Sequence, residues 1–192
     1  MARALNQASI VLIKHHEGLR LKAYPDPGSG GEPWTIGYGH TSAAGLPKVY
    51  PGLEITVKQA EDILRADLAT FAAHVESRVT VPINDNQFGV LVSFCFNVGP
   101  ANFDKSSVIR HVNAEAFSTV PARLELWNKA SGRVMAGLTK RRKDEGELFL
   151  KPVAAPADGQ KPTPAPNPQK NPFMALLAAL FGLVAGLFTK GK

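Results

Sequence analysis

Apolar side chains recur along residues 1–150 at two different periods, and the changes of period mark out the elements. From Ser9 an apolar helical pattern runs through Ile10 and Ile13, puts Glu17 on the next turn, and can stop at Gly18. Residues Leu19–Thr41 break that rhythm: Tyr, Thr and Trp alternate with Gly and Pro, which predicts short strands joined by tight turns. Thr56-Val-Lys-Gln59 has the form of a capping box, in which the threonine hydroxyl satisfies an orphan N–H and the glutamine reaches back. It opens a long predicted helix with Ile63, Leu64, Leu68, Phe71 and Val75 on one face. Asn84 and Asp85 then cap a run, Phe88–Val98, that is apolar nearly all round and therefore predicts a helix through the core. Shorter helices are expected at Ser107–Asn113, Pro121–Asn128 and Thr139–Leu150. A small hairpin region followed by a helical body is an α+β reading.

The pattern changes character twice more, dividing the chain into 1–151, 152–172 and 173–192. Between Pro152 and Pro172 there are seven prolines in 21 residues, a spacing that blocks helix and sheet and predicts a semi-rigid extended linker. Phe173–Thr189 carries no charge and is followed by Lys190 and Lys192. Of the net charge of +6, most lies behind the folded part, where five lysines from Lys151 to Lys192 face only Asp158. A mild basic excess suits an anionic partner without choosing among wall polymer, lipid and nucleic acid, and serves solubility equally well. Cys95 is the one cysteine, set in the apolar run Val90–Val98, so no internal disulfide forms and a buried, inert thiol is expected. The N-terminal apolar stretch Ile10–Ile13 is too short for a signal peptide, so passage to any target outside the cytoplasm would depend on another factor.

The chemistry-bearing residues cluster where the first helix meets the strands. Glycosidic cleavage needs one carboxylic acid to protonate the leaving oxygen and a second carboxylate to act on water or on the sugar. Glu17 ends an apolar helix, where desolvation and the negative helix end both resist ionisation, while Asp26 lies in a wetter Pro-Asp-Pro-Gly turn. Those are the two environments the reaction asks for. Acidic residues beside a turn are common and usually only solvated, so the pair alone does not establish the chemistry. His15, His16, His74 and His111 show no metal-ligand spacing, HExxH is absent, and no glycine-rich loop has phosphate-binding form. Neither a metal nor a nucleotide cofactor is expected, and nucleic acid is not the expected partner.

The order of motifs is more specific than any single residue. Glu17-Gly18, Ala23-Tyr24-Pro25-Asp26 and Trp34-Thr35-Ile36-Gly37-Tyr38-Gly39-His40-Thr41 resemble the phage-type lysozymes, the endolysin family. So do Asn86-Gln87-Phe88, Ser93–Gly99, Trp127–Ala130 and Gly137–Glu145, which together extend the resemblance over nearly all of residues 9–150. The resemblance implies a lysozyme-like fold and hydrolysis of the β-1,4 bond between N-acetylmuramic acid and N-acetylglucosamine in peptidoglycan, with inversion. It makes Glu17 the general acid, Asp26 the carboxylate that stabilises positive charge and helps position water, and Thr35 the hydroxyl that holds that water. Thr41, Phe96, Asn97 and Ser106 fall at its cleft-lining positions, with core packing an equal reading for Phe96. Where the family has a shorter connection between its Asp and Thr, this chain has the eight residues Pro27–Trp34. Glu32 within them reads as plain solvent-facing charge, and His40 as a hydrogen-bonded structural residue. Arg141 and Arg142, in a basic run opening a helix, read as a solvated face or as partners of Glu17.

The uncharged segment 173–189 is slightly short of the roughly 20 residues that span a bilayer comfortably. Ala178, Gly182 and Gly186 repeat at four-residue spacing, which permits close helix contact. With the flanking lysines it predicts a tail that inserts into or disturbs membrane after release of the enzyme, a release for which a holin is the expected route. Competing readings are a lytic transglycosylase, a wall-binding module without catalysis, and a membrane-active effector whose activity resides in the tail.

Overall fold

The computed structural model describes residues 3–26 and 29–153. Helix α1 (Gln7–Glu17) leads into a three-stranded antiparallel sheet of β1 (Arg20–Tyr24), β2 (Thr35–Gly37) and β3 (His40–Thr41). A helical body follows: α2 (Val57–Arg78), α3 (Asp85–Val98), α4 (Pro100–Lys105), α5 (Ser107–Asn113) and α6 (Val120–Glu125). A small hairpin of β4 (Lys129–Ala130) and β5 (Arg133–Val134) then precedes α7 (Ala136–Leu150). The expected α+β architecture is therefore present, with the tail and all of the linker after Val153 lying outside the described residues.

Helix α3 is the axis of the core. Val90, Leu91, Val92, Phe94 and Cys95 are fully buried, so the helix is covered on all sides by α1, α2, α4 and α7. Its start is fixed by a reciprocal cap in which Asn84 accepts from the Gln87 N–H and Gln87 accepts from the Asn84 N–H, each at 2.9 Å. The same device, Thr56 with Gln59, opens α2 as the sequence predicts. Helix α1 begins two residues before Ser9, because Asn6 supplies the cap and accepts from both the N–H and the hydroxyl of Ser9. Ser9 is freed to lie against Gly89 of α3, where a Cβ would come within 1.7 Å of its hydroxyl oxygen. That close approach sets the height of α1, and hence of Glu17, against the core.

Burial explains the inert cysteine: it pushes the Cys95 thiol up to about 12, far from nucleophilic range. Elements that sequence periodicity did not predict are short ones, α4 and the β4–β5 hairpin. Among the described residues no helix is long and apolar enough to cross a membrane.

Candidate active site

The sheet carries two faces of opposite character. Thr35 pairs with Tyr24 across one edge and with Thr41 across the other, so these three side chains stand on one face. Ile36 turns to the opposite face and packs with Ala23 and Val49 in a small apolar cluster. The β1–β2 connection is long and folds back on Asp26, and Thr35 pairs with Tyr24 after a register shift between Arg20 and Tyr24. The Asp26 N–H donates to Gly31 O at 3.0 Å, Gly30 donates to Asp26 O at 2.8 Å, and the Ser29 N–H donates to the Asp26 carboxylate at 2.9 Å. Glu32 is exposed and accepts from the Trp34 N–H at 3.2 Å, consistent with its reading as surface charge.

Glu17 is the last residue of α1, which Gly18 terminates with φ 72°. Its side chain is 20% exposed and one carboxylate oxygen accepts from Arg141 Nη1 at 2.6 Å. The other oxygen lies 4.0 Å from where a Cβ would stand on Gly39, in the turn between β2 and β3. Gly39 has φ +94°, a conformation that a side chain would strain. The next residue, His40, is buried and anchors the turn to α2. Its Nδ1 lies 2.9 Å from Asp67 and its Nε2 2.9 Å from Pro47 O, so both ring nitrogens face acceptors. Burial pulls this imidazole down, but the Asp67 and Pro47 oxygens together raise it above the ordinary histidine value.

Arg141 and Arg142 do not form a solvated face; both are buried. Arg141 donates to Glu145 at 3.2 Å and to Ser93 O at 3.2 Å, so it stays in place independently of Glu17. Arg142 lies 3.2 Å from the second Glu145 oxygen, stacks over the Phe94 ring and donates to Asn97 Oδ1 at 2.6 Å. Burial raises Glu145 and lowers Arg142, while the neighbouring opposite charges counter both. The result is a buried chain of alternating charge, Glu17–Arg141–Glu145–Arg142, ending on Asn97. Sequence reading missed Glu145; its i+3 and i+4 spacing from the two arginines was the available signal.

The cleft-lining expectations separate. Thr41 is half-buried beside Thr35, and Asn97 is exposed at the end of the charge chain. Phe96 sets its ring edge-on to Phe71 at 5.0 Å and packs on the core. Ser106 is buried; its hydroxyl donates to Phe103 O at 2.7 Å and caps α5, so it presents no group to solvent. Cavities of about 300 Å³ around Arg78 and Arg110, and about 240 Å³ around Val81 and Phe88, lie away from the carboxylates.

Residues 14–145 match the phage lysozyme family. The chain is 42% identical over 145 residues to the endolysin of Bacillus phage PZA, covering 76% of this chain and 54% of that protein. It thus spans about half the length of that relative. The endolysin of Salmonella phage P22 is 38% identical over 146 residues, covering 76% of this chain and 97% of its own. Among solved structures, the muramidase domain of SpmX from Asticaccaulis excentricus superposes with a TM-score of 0.69. It is 37% identical and covers 78% of this chain and all of the domain.

Proposed function

The chain belongs to the phage lysozyme family, and we propose that it is an endolysin that hydrolyses the β-1,4 bond between N-acetylmuramic acid and N-acetylglucosamine in peptidoglycan. The observation that carries this reading is the setting of Glu17: partly sunk, held by a buried guanidinium, and facing the glycine turn of the sheet. A proton donor must keep its aim through a change of charge. Arg141 has Glu145 and Ser93 as independent anchors, so it keeps orienting Glu17 in either protonation state.

In this mechanism Glu17 protonates the leaving oxygen while positive charge develops on the muramic acid ring. Asp26, its carboxylate oriented by the Ser29 N–H, stabilises that charge and helps align the attacking water. Thr35 holds the water from the sheet face, beside Thr41 as a sugar contact, and Asn97 contributes a second polar contact from the end of α3. Phe96 supplies an apolar wall, and Ser106 acts through the helix it caps. Attack by water opposite the leaving group gives inversion, which requires the carboxyls to be roughly 6.5–9.5 Å apart.

Segment 173–189 lies outside the described residues. From its uncharged run and flanking lysines we propose that it binds membrane, and that a holin admits the enzyme to the wall.

Mass analysis of fragments from purified peptidoglycan tests the reaction class. Reducing N-acetylmuramic acid ends are expected, and early proton NMR of the same digest should show them as the inverted anomer. Anhydromuramic ends would mean a transglycosylase, and an N-acetylglucosamine reducing end would mean the wrong bond.

A further inference from the structure

Beside Glu17, on the side of α1 that meets α7, three metal-ligand side chains converge that sequence spacing kept apart. Ring nitrogens of His15 and His16 and a carboxylate oxygen of Asp144 all lie within 4.8 Å of one another. The two rings are edge-on, with centroids 4.9 Å apart. His15 is exposed, whereas the His16 side chain is only 8% exposed. His16 Nε2 lies 3.0 Å from Asp144 Oδ2, which holds the ring against the carboxylate.

A cation already marks the point of convergence. Lys140 Nζ donates to Asp144 Oδ2 at 2.6 Å and to His15 Nε2 at 3.3 Å. His15 therefore offers its Nε2 lone pair to a positive charge, as a metal ligand does. The ammonium itself rides on an exposed stem and can leave.

We propose that His15, His16 and Asp144 form a divalent transition-metal site, in which the metal takes the place of the Lys140 ammonium. Two imidazoles and a carboxylate are a borderline donor set suited to Zn²⁺, Ni²⁺ or Cu²⁺, with water completing the shell. Tetrahedral coordination at about 2.0–2.1 Å needs the ligand atoms nearer together than they stand, and rotation of exposed His15 brings that about. Magnesium and calcium, which favour oxygen, do not fit.

Calorimetric titration of Zn²⁺ into the full chain, purified without a polyhistidine tag and stripped with chelator, tests this. One Zn²⁺ per chain is expected. His15→Ala should weaken binding about tenfold or more, Lys140→Ala should tighten it, and His74→Ala, at a histidine outside the cluster, should leave it unchanged. His15 and Lys140 are exposed, so these variants keep the fold. No binding by the wild type, equal binding by His15→Ala, weaker binding by Lys140→Ala, or equal loss in His74→Ala would overturn the site.

Discussion

Arg141 joins Glu17 to the core through Glu145 and Ser93. Glu145 is completely buried between two guanidiniums. Replacing it with Leu leaves the buried Arg142 without a carboxylate and Arg141 with Glu17 alone. Such a loss costs about 3–5 kcal/mol. Urea denaturation of Glu145→Leu should therefore show a loss of that size; a change under about 1 kcal/mol would mean the network does not hold α7 to α3. The importance of this residue was hidden in the sequence for a physical reason. A run of Lys, Arg and Asp looks solvated until α3 and Asn97 are placed against it, and only tertiary packing does that. The surroundings of Glu17 and Asp26, a helix end and a turn, were legible because both are local. The Ser106 hydroxyl is engaged in a helix cap, which its position in a motif does not reveal.

Elements whose ends are fixed by local caps were the readable ones. The two capping boxes, the apolar girdle of α3 and the α1 stop at Gly18 all follow from neighbouring residues. The β4–β5 hairpin and α4 are too short for a period to be seen, and depend on what they pack against. The sheet's attachment to α2 is also tertiary, and it has a pH signature. His40 is raised above its unfolded value near 6.5, so its pairing with Asp67 stabilises the fold fully below that pH. The stabilisation is lost as pH rises through the folded value. The melting temperature of the wild type should thus exceed that of Asp67→Asn most near pH 6, with the gap narrowing toward pH 8.5. Effects of His16, which burial lowers and which works in the opposite sense, are common to both proteins and cancel in the difference. A gap that is constant or widens with pH would contradict the role given to His40.

At the scale of the molecule, the division of labour proposed places wall hydrolysis in the described unit and membrane binding in the segment beyond it. The unit up to Val153 holds its own core and all the residues assigned to the reaction. Deleting 154–192 should leave clearance of purified peptidoglycan at the wild-type rate and abolish binding to anionic phosphatidylglycerol vesicles. Unchanged vesicle binding would remove the membrane role from the tail. The central claim concerns Glu17, and its most direct test is turbidity clearance of purified peptidoglycan by Glu17→Gln. Glutamine keeps a hydrogen-bond acceptor for Arg141 but has no proton to give. Loss of a general acid lowers the rate by about 10²–10⁴-fold, and a loss of that order with vesicle binding intact is the predicted result. Clearance near the wild-type rate would contradict the assignment.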